Sequence, residues 1–194
     1  QASSSAASDV YKRQVLVWSA CSRPATSESP TEEPMKPIDL ETLPHRQGPR
    51  PTTTPTNPHS QLDQNAPVAL QEKVAEFMFG LDCVREAPSR VSVPGARAIL
   101  LHESCHAGPP SAFMVGREFC HIHPAYDGSL HLNLPTELAD AAMERGWAEV
   151  HPLAAFGVVP RNVVLVYGPR DDAELAVVKG LIAASHAFAH PRTD

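Results

Sequence analysis

Prolines are spread unevenly along this 194-residue chain, and that unevenness decides where it can fold. Ten of the twenty prolines fall between Pro24 and Pro67, and no Phe, Trp or Tyr occurs from residue 19 to residue 76. Such a stretch buries too little apolar surface to offset its chain entropy. Residues 15–66 are therefore expected to form a disordered, Pro/Thr/Ser-rich tail or tether. Residues 1–14, QASSSAASDVYKRQ, lack periodicity and an initiator Met, and are expected to be adapter-derived. Residues 67–194 remain, long enough for one cooperative core.

Charge and motifs exclude several classes. The formal net charge is −6, and residues 67–194 carry 10 basic against 15 acidic side chains with no basic cluster. That balance argues against nucleic-acid binding. No run of 18 apolar residues is present, so no transmembrane helix is expected. There is no Gly-rich phosphate loop, dinucleotide fingerprint or CxxC pair. The run Val15–Cys21 resembles the end of a bacterial lipoprotein signal. The expected location is accordingly either the cytoplasm or a membrane surface reached through a lipid on Cys21. Beyond it, Cys83, Cys105 and Cys120 leave room for one bridge and one free thiol.

Periodicity over residues 67–194 reads as α+β. Leu70, Val74, Phe77, Met78 and Leu81 recur at helical spacing after Pro67, which suits a first helical position. Strands are expected at 98–101, 112–123, 129–134 and 162–167, with a loop over 103–111. A helix over 136–145 stops at Gly146, and a last helix covers 171–189 with Asp171, Asp172 and Glu174 at its positive end. Short connections imply an antiparallel sheet with helices packed on one face.

The histidines carry the chemistry. Eight of ten lie between residues 102 and 190. On a strand, His121 and His123 share one face and Cys120 and Ile122 the other; His131 and Asn133 likewise oppose Leu130, Leu132 and Leu134. The Asp127-Gly128 pair is a turn signal. A hairpin centred on Asp127 would pair His123 with His131 and His121 with Asn133, gathering three imidazoles on one face. Three uses are open to such a cluster: a solvated polar face, a three-nitrogen metal site at His121, His123 and His131, or acid–base work on an organic substrate.

The ordered pattern Arg117-Glu118…His121…His123, Asp127, Leu130-His131-Leu132, Gly146-Trp147, His151-Pro152-Leu153-Ala154, Tyr167, Pro169-Arg170-Asp171 and Glu174 resembles the luciferase domain of bioluminescent fungi and its non-luminous relatives. The likeness covers residues 117–190. Ala148 and Ala155 stand where the fungal enzymes commonly have Gly. The resemblance implies an oxygenase that adds O2 to a hydroxylated pyrone such as hydroxyhispidin, without an organic cofactor or an established metal, and with light not assured. A small aromatic or enolic molecule is the expected partner. The expected catalytic residues are His121, His123, His131, His151 and Arg170, with Arg170 holding an oxyanion. Asp127, Asn133, Trp147, Tyr167 and Glu118 are expected to contact substrate. Two other uses of the pocket are a non-catalytic module for a small aromatic ligand and a metal-dependent enzyme built on His121, His123 and His131.

Overall fold

The computed structural model describes residues 35–192. In chain order it contains helix α1 (Val68–Phe79), strands β1 (Val84–Pro88), β2 (Arg97–Leu101), β3 (Glu118–Ile122) and β4 (Leu130–Asn133), helix α2 (Thr136–Glu144), strands β5 (Ala148–Val150) and β6 (Val163–Val166), and helix α3 (Asp172–Ala189). The strands form one antiparallel sheet in the order β1-β2-β3-β4-β6-β5.

Alternation divides the sheet into two unlike faces. Cys120 and Ile122 of β3, Leu130 and Leu132 of β4, and Val164 and Val166 of β6 share a core with Leu70, Val74 and Met78 of α1 and with Leu175, Val178 and Ile182 of α3. At about 25 cal/mol per Å² of buried apolar surface, this face is where most of the folding free energy arises. The helices follow local rules. Asp171 caps α3 by accepting a 2.8 Å hydrogen bond from the Glu174 amide. Gly146 takes a φ of +82° beyond α2, a conformation that a side chain would strain.

Several expectations change. Val84–Pro88 is an edge strand, and β5 is a second edge strand that the pattern did not announce. Residues 112–117 are not strand: a 3₁₀ turn covers Pro110–Ala112, and Gly116 at φ +58° breaks the extended run before β3. The hairpin register differs by two residues, pairing His121 with His131 and Cys120 with Leu132. The reason is a five-residue loop in place of a tight Asp-Gly turn. Pro124 O accepts from the amides of Asp127 (2.9 Å) and Gly128 (3.0 Å), and the His123 amide bonds to Ser129 O at 2.9 Å. An even shift keeps every side chain on its expected face.

The tail boundary also moves. Residues 1–34, including Cys21 and the adapter-like start, lie outside the described residues. Residues 35–66 form a strap rather than a disordered tether, with Leu43, Arg46, His59 and Gln61 all buried. Polar anchoring replaces the missing aromatics: Pro44 O accepts from Trp147 Nε1 at 2.6 Å, and Gln61 Oε1 accepts from the Gly168 amide at 3.0 Å. Cys83 and Cys105 form a disulfide, and Cys120 is a buried free thiol whose ionisation burial opposes. Among the described residues no helix is long and apolar enough to cross a membrane.

Candidate active site

His121 and His123 from β3 and its end, and His131 from β4, stand on the sheet face away from the helices. His151, following β5, and His59, from the strap, join them. The His131 ring is central, with centroids 5.0 Å from His123, 5.1 Å from His151, and 5.2 Å from both His59 and His121.

Three of these rings rest against carboxylates. Glu118 Oε1 lies 3.0 Å from His121 Nδ1, Asp127 Oδ2 lies 2.6 Å from His123 Nδ1, and Glu149 Oε1 lies 2.6 Å from His59 Nε2. Strict alternation would put Glu118 in the core beside Cys120. An irregularity in the β2–β3 pairing, where Ile99 meets Cys120 and the next residue Leu100 meets Glu118, turns it to the histidine face instead. Ser89 Oγ and the Arg90 amide donate to Glu118 at 2.6 and 3.0 Å. The amide and hydroxyl of Ser129 donate to Asp127 at 3.0 and 2.5 Å. Thr53 Oγ1 and Tyr167 Oη donate to Glu149 at 2.5 and 2.9 Å.

Burial and hydrogen bonding set the charges. Burial holds His121 below its ordinary value despite Glu118, and holds His131 well below it, with neighbouring rings adding to the effect. Burial first, then nearby imidazoles, bring His151 down to about 4. Burial alone would raise the carboxyls of Glu118, Asp127 and Glu149, but the hydrogen bonds they accept outweigh it and keep all three below the usual carboxylate range. Burial and the Glu149 carboxylate push the Tyr167 phenol up, so it stays a donor. His121, His131 and His151 are thus held toward the neutral form, in a cluster backed by carboxylates held toward the ionised form.

The rings form the floor of a cavity of about 560 Å³ with walls from Val91, Met114, Leu153 and Val158. Its size and its mixture of apolar wall and polar floor suit a small organic molecule. His121 lines this cavity, and its Nε2 is buried with no hydrogen-bond partner among the described residues. His151 Nδ1 accepts from the Leu153 amide at 3.2 Å, which leaves the ring proton of neutral His151 on Nε2.

The sequence-derived residues fall into three groups. His121, His123, His131 and His151 line the cavity. Glu118, Asp127 and Tyr167 stand behind the rings rather than in it. Asn133, Trp147 and Arg170 lie elsewhere. Asn133 Nδ2 donates to Ser111 O at 2.9 Å. Trp147 belongs to the apolar core. Arg170 pairs with Glu174 and donates to Gln64 Oε1 at 3.0 Å and Gln47 O at 2.7 Å. Sequence reasoning missed His59 because it lies in the aromatic-poor stretch. It missed Glu149 because a three-residue edge strand leaves no readable alternation.

Residues 116–185 match the family model described as "Luciferase domain". A luciferase of Armillaria ostoyae is 32% identical over 164 residues, covering 77% of this chain and 62% of the relative. A luciferase of Neonothopanus nambi is 35% identical over 74 residues, covering 37% of this chain and 28% of the relative. The chain thus spans less than two thirds of the length of these relatives. No solved structure matches the chain significantly.

Proposed function

The chain belongs to the luciferase-domain family, and from that premise we propose that it is an oxygenase acting on an electron-rich enolic or phenolic ring, of the hydroxylated-pyrone class, in the histidine-floored cavity. The observation that carries this reading is the cluster of imidazoles, three of them backed by carboxylates, opening onto a cavity of small-molecule size.

Such a reaction asks two things of the protein. The enol must be held as its anion, and O2 must reach its electron-rich carbon away from bulk water. The imidazole floor receives the enol oxygen, and Glu118, Asp127 and Glu149 stabilise positive charge that forms among the rings. His151 Nε2–H is a donor to the anion at the cavity wall. The enolate carbon then forms a bond to O2. Two electrons pass from that carbon to the O2 unit, and the enol proton returns to give an organic hydroperoxide. Substrate and O2 account for every atom, and no further reductant enters. Arg170, expected from sequence to hold the oxyanion, has no place in this step, because its guanidinium is engaged by Glu174, Gln64 and Gln47.

The test is oxygen uptake by the full chain with hydroxyhispidin, with light recorded in parallel. Substrate-dependent uptake is expected, falling at least about 100-fold in His131→Ala while far-UV circular dichroism is retained. Tight binding of the pyrone with no uptake would assign a binding module instead. Uptake unchanged in His131→Ala would remove the histidine floor from the chemistry.

A further inference from the structure

Five side chains stand in a row through the site. Asp127 Oδ2 meets His123 Nδ1 at 2.6 Å, His123 Nε2 meets His131 Nδ1 at 3.2 Å, His131 Nε2 meets His59 Nδ1 at 3.2 Å, and His59 Nε2 meets Glu149 Oε1 at 2.6 Å. Each of these four contacts needs one proton. The ionised carboxylates only accept, so His123 presents Nδ1–H to Asp127 and His59 presents Nε2–H to Glu149. In neutral rings that leaves His123 Nε2 and His59 Nδ1 bare. His131, between them, has one proton for two contacts. With one proton per ring, four contacts would share three protons, and one nitrogen pair at 3.2 Å would have no hydrogen between its members.

A second anomaly lies beside the first. His121 gives Nδ1–H to Glu118, and its bare Nε2 is buried without a partner. An extra proton in the row would supply the missing hydrogen bond. It would leave the bare Nε2 of His121 as it is. One cation between His121 Nε2, His123 Nε2 and His131 Nδ1 removes both anomalies. His131 then carries its proton on Nε2 and donates it to His59 Nδ1, and each remaining contact has its proton.

We propose that His121, His123 and His131 hold a divalent first-row transition-metal ion with an open position toward the cavity. One nitrogen from each of these rings lies within 4.8 Å of the other two, and all three residues are buried. Three imidazole ligands with a vacant position are the donor set of catalytic zinc and related ions. The carboxylates behind the rings are the partners such ligands use to fix their orientation. Glu118 backs His121 and Asp127 backs His123, while Glu149 backs His131 through His59. Among the described residues no Lys or Arg side chain pairs with these three carboxylates, and their negative charge is what a buried dication balances. A second trio, His59, His131 and His151, is equally compact. It fits less well, because the His151 ring proton occupies Nε2, the nitrogen that would have to bind. In the metal-bound form the cation, rather than a protonated ring, faces the substrate anion.

The test needs neither pyrone nor oxygen, so its failure is distinct from failure of the oxygenase reading. The full chain is stripped with a chelator and titrated with Co²⁺, following visible d–d absorption. One equivalent is expected to bind, and Zn²⁺ to displace it. His123→Ala is expected to abolish the bands, and Glu118→Gln, which keeps every ring in place, to weaken binding about 10- to 100-fold. The exposed pair His102→Ala/His106→Ala is expected to bind as the unaltered chain does. Absence of d–d bands in excess Co²⁺, or equal binding by the unaltered chain and Glu118→Gln, overturns the proposal.

Discussion

Asp127 serves three groups with two oxygens. Oδ1 accepts from the amide and hydroxyl of Ser129, and Oδ2 meets His123 Nδ1. It therefore closes the β3–β4 loop and chooses which nitrogen of His123 faces its neighbours. Removing it strands a buried imidazole N–H and a buried amide, whereas removing an exposed carboxylate would cost little. Asp127→Ala is expected to lower stability by about 3 kcal/mol, seen as a lower urea midpoint with an unchanged slope. Asp127→Asn keeps an acceptor oxygen and is expected to recover part of that loss. An unshifted midpoint in Asp127→Ala would mean the carboxylate contributes nothing to the loop. Residue-level reading reached Asp127 through its turn signal, but assigned it to substrate rather than to a ring.

At the level of elements, legibility followed burial. α1, α2, α3, β2, β4 and β6 were readable because their apolar residues repeat at 3.6 or 2, or run unbroken through a buried strand. Both unexpected strands, β1 and β5, are the edges of the sheet. Edge strands are short, charged and half-exposed, so neither Val84–Pro88 nor Ala148–Val150 carries a clean pattern. The strap was illegible for a different reason. It is held by hydrogen bonds, by the Arg46–Glu174 and His59–Glu149 pairs and by one buried Leu, and composition does not report such contacts. Starting the chain at residue 67 removes Leu43 from the core, the acceptor from Trp147 Nε1, and His59 from the site. A fragment of residues 67–194 is expected to lose about 3 kcal/mol or more against the full chain, and its urea midpoint against that of the full chain checks this. Equal midpoints would show the strap to be an ornament of the fold.

Across the whole molecule, one sheet separates stability from chemistry. Neighbours on β4 point to opposite halves: Leu132 into the apolar core with α1 and α3, His131 into the cavity. Backbone pairing is shared, so the faces differ by side chains alone. A cavity left on the helix side costs transfer and packing free energy and leaves the imidazole arrangement supported by its own carboxylates. Leu132→Ala is therefore expected to cost about 2–5 kcal/mol in urea unfolding. Oxygen uptake per folded molecule, with the folded fraction fixed by circular dichroism at low temperature, is expected to stay close to that of the unaltered chain. If uptake per folded molecule instead falls as far as it does in His131→Ala, packing beneath the sheet sets the ring geometry above it. The carboxylates would then not suffice to hold the site.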